Sequence, residues 1–326
     1  MKLPRRQFLH LAVGAAALST FPRIASAQAY PTRPMTMIVP YAAGGPTDTI
    51  ARIMAERMRA SLGQIVLVEN VTGAAGSIGV GRAARAAPDC YTLLSAPPPP
   101  LVINRLLYQK LPYDSAQFVP ITVIGAIPNV LLVHPKTNVS TVEQLIALAK
   151  ANPGKLNYAS QGSGTTSHLT AELFKSMAGG LNITHVPYKG TAPALADLLG
   201  GQVEMMCDNL GVSLPHVRSG KLKALGVASA KRVKALPDVP ALAETLPGFE
   251  AVAWFGIVAP PKTPRAIAEK VAAGVQDALK MPEVLKRLSE LSAEPMGLTP
   301  EETAAYMKQE TERWAAVIKS AGVKAD

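Results

Sequence analysis

The chain has 326 residues, of which 33 are Lys or Arg and 23 are Asp or Glu. Four of the 33 basic residues fall in the first 27 positions, so the other 299 residues carry 29 basic and 23 acidic side chains, a net charge of +6. This excess is scattered, with no basic block and few aromatic residues, which excludes a nucleic-acid-binding protein. A mildly positive protein favours small anions as ligands.

Residues 1–27 predict an export signal that is not part of the fold. A basic start precedes the ten-residue apolar run "LHLAVGAAAL" (9–18), and "ASA" (25–27) matches the small-residue cleavage pattern of a secretory signal. The run is shorter than the ~20 residues that span a bilayer. The pair Arg5–Arg6 resembles a twin-arginine (Tat) signal, with Sec export as the alternative. We therefore expect a mature protein in the periplasm, without stable membrane insertion.

Short apolar segments then alternate with segments of helical periodicity, which is typical of an α/β protein with a mostly parallel sheet. The predicted strands are 35–41, 65–70, 91–96, 155–160, 184–188, 202–208 and 223–229. The apolar segment 120–135 is interrupted by Pro128 and Asn129, so it predicts two strands and not a membrane helix.

The helices are predicted from periodicity and from their end signals. The first carries its apolar residues on one face, at Ile50, Ile53, Met54 and Met58. Ser140 with Glu143 resembles a capping box and predicts a helix that stops at 152–154. Further helices are predicted at 73–87, 169–177 and 192–199, after Thr263, and from Thr299 with Glu302 to Gly322. The four prolines at 97–100 predict a stiff segment without N–H donors.

Two segments, "VPYAAGGPTD" (39–48) and "NYASQGSGTTSH" (157–168), share one plan. Each has a strand ending in Tyr and small residues, then a glycine-rich loop, then a hydroxyl residue at the start of a helix. Glycine lets a ligand approach the backbone, and the first N–H groups of a helix are unpaired and favour negative charge. Facing each other across a cleft, the two segments would form a clamp for an anion. The alternative is two ordinary βα turns.

Catalytic, phosphate-binding and metal-binding motifs are absent, so we predict no enzyme, no cofactor and no metal site. An alternative is a hydrolase that uses Ser163 or Ser167 with His168, although adjacent Ser167 and His168 do not face each other easily on a helix. His168 either packs at the helix end or lines the cleft.

Asp48 is most simply a helix cap. Asp208 ends an apolar strand and either points into a ligand crevice or belongs to a turn. Cys90 and Cys207 are either separate thiols or, in an oxidising periplasm, a disulfide.

Several long motifs in one order carry a family resemblance over essentially the whole mature chain. They include "YPTRPMTMIVPYAAGG", "KLPYD", "PNVLLVHP", "ANPGKLNYASQGSGTTSHL", "HVPYKGTAPALADLLGGQVEMM", "LPDVPALAE" and "WFGIVAPPKTP". In these motifs the chain resembles the Bug family, the TctC-like periplasmic solute-binding receptors of tripartite tricarboxylate transporters. The resemblance implies a monomer with the two-domain type II periplasmic-binding fold, with a ligand cleft between the domains. It implies domain 1 at 28–127 plus 252–326 and domain 2 at 128–251, with hinge crossings near 125–131 and 250–256.

The resemblance also implies function. The cleft would capture a small carboxylate by domain closure and present it through transient contact to membrane transporter subunits; a sensor subunit for a signalling partner is the alternative. The implied ligand-binding residues are Tyr41, Ala43, Gly44, Gly45, Thr47, Asp48, Ala96, Gly162, Gly164, Thr165, Thr166, Ser167, His168 and Asp208.

The chain departs from the family pattern at Ala43, Cys90, Cys207 and the four prolines of 97–100. Ala43 stands where the family often has proline, and therefore adds one N–H group to the loop. We hypothesise that the prolines narrow the cleft and select an extended or aromatic carboxylate.

Overall fold

A computed structural model describes residues 30–323, and the predicted export signal of residues 1–27 lies outside the described residues. The described chain is mixed α/β, which confirms the predicted class. Its strands are β1 (Met35–Val39), β2 (Val66–Asn70), β3 (Thr92–Ala96), β4 (Val119–Val133), β5 (Asn157–Ser160), β6 (Thr184–Pro187), β7 (Met205–Asn209), β8 (Lys223–Val227), β9 (Val252–Ala259) and β10 (Glu294–Pro295). Its helices are α1 (Pro46–Leu62), α2 (Ser77–Ala84), α3 (Asn104–Leu107), α4 (Val142–Ala151), α5 (Thr166–Met177), α6 (Thr191–Leu199), α7 (Leu210–Arg218), α8 (Leu242–Thr245), α9 (Arg265–Leu279), α10 (Pro282–Glu290) and α11 (Pro300–Ala321).

The strands form a sheet with two parallel halves. Its order is β2-β1-β3-β9-β4-β7-β5-β6, and β8 and β10 each pair with β4. Strands β1, β2 and β3 are parallel to one another, and so are β5, β6 and β7. Strands β4 and β9 run antiparallel to their partners and join the two halves. Because the strands of each half point the same way, the loops that follow β1, β5 and β6 lie at the carboxyl ends of the strands in their half.

Strand β4 is one continuous strand, so the prediction of two strands at 120–135 was wrong. Its residues up to Pro128 pair with β9, and those from Asn129 onward pair with β7 and β8. Pro128 has no N–H to donate, but it stands where the partner changes, and the strand continues through it. Asn129 is wholly buried, and its Nδ2 donates to Thr170 Oγ1 at 2.7 Å. The polar interruption in the sequence therefore anchors β4 to α5.

Helix α4 begins one residue later than its predicted capping box. The N-cap is Thr141, whose hydroxyl accepts from the Gln144 N–H at 3.2 Å. Gln144 Oε1 in turn accepts from the Ser140 N–H at 2.7 Å. Both positions offer a hydroxyl and both have an acid or amide three residues on, so the sequence did not distinguish the two registers.

Helix α11 has the predicted capping box of Thr299 and Glu302, and Gly322 ends it in the left-handed conformation. The helix packs against β4 and β9. There the buried Glu310 carboxylate accepts from the indole N–H of Trp254 at 2.9 Å. This contact ties the C-terminal helix to the strands that join the two halves of the sheet.

The two cysteines are buried free thiols, so the alternative of a disulfide between them is not formed. Cys90 precedes β3 in one half of the sheet, and Cys207 lies within β7 in the other. Among residues 30–323, no helix combines the length and the apolar character needed to cross a bilayer.

Candidate functional site

A cavity of about 830 Å³ lies between the two halves of the sheet, at the carboxyl ends of the strands. Three loops reach it: the first loop (40–45) between β1 and α1, the second loop (161–165) between β5 and α5, and the third loop (188–190) between β6 and α6. Three helices therefore begin at this cavity, as is usual for the ligand site of an open α/β sheet.

The structure brings together most of the residues predicted to bind a ligand, but not all of them. Eight line the cavity: Tyr41, Ala43, Gly44, Gly45, Thr47, Asp48, Thr165 and Thr166. Six do not line it: Ala96, Gly162, Gly164, Ser167, His168 and Asp208. Gly162 and Gly164 belong to the second loop, and the other four are buried.

The first loop is held by Asp48. Gly44 N–H donates to Asp48 Oδ2 at 2.9 Å, Asn70 Nδ2 donates to Oδ1 at 2.9 Å, and Arg52 Nε donates at 3.0 Å. Burial by itself raises the pKa of the Asp48 carboxyl, but the hydrogen bonds and the Arg52 charge hold that pKa below its ordinary value. The prediction of Asp48 as the cap of α1 was wrong. The N-cap is Gly45, and Asp48 reaches back to the residue before it.

The second loop is also closed by internal hydrogen bonds. Thr165 is the N-cap of α5, and its hydroxyl lies 3.3 Å from the His168 N–H that donates to it. Gly162 N–H donates to Ser160 Oγ at 3.1 Å, and Gly164 N–H donates to His168 Nδ1 at 3.0 Å. The N–H groups of both glycines are thus used within the loop and its support.

The first residues of α5 point in different directions, because a helix turns by about 100° per residue. Thr166 lines the cavity. The Ser167 hydroxyl is wholly buried and donates to the Cys207 carbonyl. The His168 ring points behind the loop and stacks on His185 with a centroid distance of 4.0 Å. Because its hydroxyl is buried, Ser167 has no access to a substrate as a nucleophile.

Asp208 lies beneath the cavity floor instead of in it. The side chain is wholly buried, and it accepts from Gln161 Nε2 at 2.6 Å and from Ser213 Oγ at 2.9 Å. Burial raises the pKa of this carboxyl above its ordinary value, although the two donors act in the opposite direction. Adjacent strand residues face opposite sides, so Asn209 lines the cavity in its place. Gln161, which also lines the cavity, separates Asp208 from it.

Sequence reasoning missed the third loop. Lys189, Gly190 and Thr191 line the cavity, and Gly190 is the N-cap of α6 with φ +111°. A signal was present, because a strand followed by Tyr188, a glycine and a threonine repeats the plan of the other two loops. Among the described lining residues, Lys189 is the one full cation and Asp48 the one acid.

The prolines form one side of the cavity. Pro97 and Pro99 line it, whereas Ala96 just before them is wholly buried at the end of β3. The segment is stiff, but it is helical and not extended: Pro99–Ile103 forms a single wide helical turn. With Phe255 on the same wall, this side of the cavity is apolar.

The polar side has donors that lack partners. The Thr47 and Thr166 side chains, at the starts of α1 and α5, are 7% and 5% exposed and line the cavity. Within residues 30–323, no hydrogen bond engages either hydroxyl. The first N–H groups of a helix have no acceptor inside the helix, and they favour negative charge. The described residues contain no group of three or more His, Cys, Asp or Glu side chains placed to hold a metal ion. This arrangement suits an anion bound by neutral donors.

Known proteins with similar sequences and folds are solute-binding proteins. The family model described as "Tripartite tricarboxylate transporter family receptor" (TctC) matches residues 50–323. Protein BugT of Bordetella pertussis is 39% identical over 302 residues, covering 92% of both chains.

Two solved structures share the fold and were determined with a carboxylate bound. Rpa4515 of R. palustris with adipate has a TM-score of 0.83 at 38% identity, covering 90% of this chain and 99% of its own. MatC (Rpa3494) of Rhodopseudomonas palustris with bound malate has a TM-score of 0.78 at 35% identity, covering 89% of this chain and 100% of its own. The resemblance in the sequence motifs is thus confirmed, and the chain belongs to the TctC family of tripartite tricarboxylate transporter receptors, which are solute-binding proteins and not a family of enzymes.

Proposed function

We propose that this protein is a periplasmic receptor, a monomer, that captures a small carboxylate and presents it to the membrane subunits of a tripartite transporter. One observation carries the proposal. Two helix starts line the same cavity at Thr47 and Thr166, two largely buried residues whose hydroxyls have no hydrogen-bond partner among residues 30–323. Two sets of N–H and O–H donors on the wall of one cavity are suited to a carboxylate group.

The two halves of the sheet would act as the two domains. The division at 127/128 and 251/252 is supported by the change of partner along β4 after Pro128. A hydrogen bond next to the second boundary also supports it. Ala251, the residue before β9, donates its N–H to the Ala228 carbonyl, which belongs to the half of the sheet that contains β5, β6 and β7. Two crossing strands would then serve as the hinge, and a ligand that binds both sides of the cavity would favour the closed state.

The energy of capture requires several donors. A micromolar ligand corresponds to about −8 kcal/mol. A helix end contributes only ~0.3–1 kcal/mol when exposed, and up to ~2 kcal/mol when partly buried. A hydrogen bond to a charged group contributes ~1.5–3 kcal/mol, so about three or four such bonds account for the affinity. The first turns of α1 and α5 and the two threonine hydroxyls supply that number.

The cavity composition favours an extended dicarboxylate. The bound adipate and malate of the two similar structures are both dicarboxylates. Here, Lys189 at the start of α6 would attract a second carboxylate, and the apolar wall of Pro97, Pro99 and Phe255 would cover the carbon chain between them. The protein would act by binding alone, because Ser167 is buried and engaged with the Cys207 carbonyl.

The test is a thermal-unfolding screen with mono-, di- and tricarboxylates and their uncharged amides. A ligand at 100 times its Kd adds ~2.7 kcal/mol of stability, which raises Tm by about 4 °C in a protein of this size. We expect at least one dicarboxylate to stabilise the protein and its diamide to have no effect. Stabilisation by an uncharged solute and by no carboxylate would overturn the proposed ligand class.

The two threonines provide the test at the site. We expect Thr47→Val and Thr166→Val each to raise the Kd of the carboxylate found in the screen by about 10- to 150-fold, which corresponds to one hydrogen bond to a charged group. Thr303→Val is the matched control, since Thr303 in α11 is also buried with an unpartnered hydroxyl but lies outside the cavity. Equal affinities for all three variants would show that the carboxylate does not bind between the two helix starts.

A further inference from the structure

The first and second loops contain the same internal hydrogen bond. Gly44 N–H donates to Asp48 Oδ2 at 2.9 Å, and Gly164 N–H donates to His168 Nδ1 at 3.0 Å. In both loops the glycine directly precedes the N-cap, which is Gly45 before α1 and the residue after Gly164 before α5. In both, the acceptor is the side chain of the third helical residue, four positions after the glycine.

The two glycines also share their backbone conformation. Gly44 has φ +86° and Gly164 has φ +75°, in the left-handed region that residues with a Cβ rarely adopt. At Gly164 an added Cβ would also stand 2.9 Å from Leu107 Cδ1. Glycine is therefore required at both positions by the turn of the chain, and its N–H group donates to the supporting side chain. The absence of a side chain does not by itself make these two residues ligand donors.

Each supporting side chain is held in turn by its own set of neighbours. Asp48 accepts from Arg52 Nε at 3.0 Å and from Asn70 Nδ2 at 2.9 Å, and the same Asn70 amide group donates to the Tyr41 carbonyl of the first loop at 3.0 Å. Asp48 is 3% exposed. The carboxylate thus connects Gly44, the loop backbone and a neighbouring strand.

His168 is held by stacking. Its ring lies 4.0 Å from the His185 ring with an interplanar angle of 5°, and His185 stacks on Tyr158 at 4.8 Å. His185 Nε2 lies 2.6 Å from Ser160 Oγ, which accepts the Gly162 N–H at 3.1 Å. The N–H groups of Gly162 and Gly164 are therefore both held from the same side of the loop. Gly164 donates to the stacked His168 ring, and Gly162 donates to the Ser160 hydroxyl, which contacts the stacked His185 ring.

The acceptor at Nδ1 requires a neutral imidazole. Burial lowers the pKa of His168 to about 3, with smaller effects of the same sign from His185 and Lys175. Among the described residues, the nearby Glu172 carboxylate is engaged with Lys175 at 2.6 Å and also accepts from the Tyr158 hydroxyl. The ring consequently stays neutral at neutral pH, and its Nδ1 lone pair stays available to Gly164.

We propose that Asp48 and His168 are matched positioning residues, each of which shapes one loop of the carboxylate site by accepting the N–H of the glycine before the N-cap. This inference rests on the proposed function. The ligand would be bound by the helix-start residues, including Thr47 and Thr166, and not by His168 or by the N–H groups of Gly44 and Gly164. The two loops achieve the same geometry with different chemistry: a carboxylate neutralised by Arg52 in the first, and a neutral ring in the second.

The experiment compares His168→Asn with His168→Leu. The Asn amide oxygen can replace Nδ1 as the acceptor, whereas Leu retains bulk without an acceptor. Proteins labelled with ¹⁵N-glycine report the Gly164 amide directly, through its chemical shift and its hydrogen exchange. We expect His168→Asn to keep the Gly164 amide protected and the Kd within about threefold of wild type. We expect His168→Leu to expose that amide and to weaken the Kd at least tenfold.

His134→Leu is the matched control. His134 Nδ1 also accepts a backbone N–H, that of Lys136 at 3.1 Å, but His134 does not line the cavity. This variant should therefore bind as wild type does. If His168→Leu does not fold, Asp48→Asn against Asp48→Ala tests the first loop in the same way, with the Gly44 amide as the probe.

The outcomes separate the two proposals. Wild-type affinity in His168→Leu with an exposed Gly164 amide would overturn the positioning role. Equal losses in His168→Asn and His168→Leu would do so too, because they would indicate a direct ligand contact or a purely packing role. If the wild-type protein binds no carboxylate, the proposed function fails. The Gly164 amide of the two variants still shows whether His168 holds the loop.

Discussion

The most direct test of the proposed binding site is the substitution Gly45→Ala, which adds a single methyl group to the cavity wall. Gly45 lines the cavity as the N-cap of α1, and its φ of −76° is one that any residue adopts. An added Cβ would meet only the Ala42 carbonyl oxygen, at 3.7 Å. The open space around that Cβ is the cavity itself, so Gly45→Ala places a methyl where the ligand would contact the first turn of α1.

The substitution is expected to weaken binding strongly and to change the stability of the free protein little. Separating a carboxylate from two donors at the start of α1 costs ~3–6 kcal/mol, at ~1.5–3 kcal/mol per hydrogen bond to a charged group, or about 100- to 10⁴-fold in Kd. Alanine at a compatible glycine position stabilises the fold by ~0.4–1 kcal/mol through the unfolded state, but alanine is a poorer N-cap than glycine by a similar amount. Gly45→Ala should therefore be about as stable as wild type without ligand and bind at least 100-fold more weakly.

Calorimetric titration with the carboxylate from the screen, together with urea unfolding of the free protein, measures both quantities. Gly81→Ala is the control. Gly81 lies inside α2, outside the cavity, and an added Cβ there would meet the guanidinium end of Arg85 at 3.3 Å and Pro112 Cβ at 3.8 Å. We expect this variant to gain ~1 kcal/mol of helix propensity and to keep wild-type affinity.

Two results would refute the reasoning. A Kd for Gly45→Ala within about threefold of the wild-type value would mean that the ligand does not approach the start of α1. A loss of binding accompanied by a loss of stability in the free protein would mean that Gly45 serves the fold and not the ligand.

Three further predictions concern charge, pH and the apolar wall. Lys189→Gln should weaken the binding of a dicarboxylate about fivefold, which is the ~1 kcal/mol of a partly solvated charge pair. Titration calorimetry should show nearly unchanged affinity for the matching monocarboxylate. Equal losses of affinity for both ligands would mean that the second carboxylate does not bind at Lys189. Burial lowers the folded-state pKa of His168 from 6.5 to about 3, so unfolding takes up a proton between these values and stability falls as pH drops below 6.5. In urea unfolding, the free energy of unfolding should fall by about 2 kcal/mol more from pH 7 to pH 5 in wild type than in His168→Asn. If the two proteins lose stability in parallel as the pH falls, the buried neutral ring is contradicted. Replacing Pro97 and Pro99 with Gly and Ser should broaden the range of carboxylates that stabilise the protein, and an unchanged ligand profile would show that the prolines do not select the ligand.

The local patterns of the sequence identified most of the fold. Alternating apolar strands and periodic helices predicted the α/β class, and the shared plan of 39–48 and 157–168 located two of the three loops at the cavity. Where local signals competed, the prediction failed: Ser140 and Thr141 are equally good caps, and Pro128 with Asn129 looked like a break in β4. That strand continues because it changes partner there, and strand pairing is a property of distant residues.

The same distinction applies to the site. The sequence alone determined that Thr47, Thr166, Ser167 and His168 stand at helix starts, because caps and glycines are local features. Only the tertiary structure decided which side each one faces. A turn of about 100° per helical residue sends Thr166 into the cavity, Ser167 to a carbonyl of β7 and His168 behind its loop.

Packing likewise placed Asp208 beneath Gln161 and brought Lys189 into the cavity. Both outcomes depend on how the two halves of the sheet are set against each other. No short stretch of sequence records that arrangement, because it follows from contacts between residues far apart in the chain. The sequence thus determined which backbone segments are candidates for binding an anion, and the fold decided which of their atoms face the cavity.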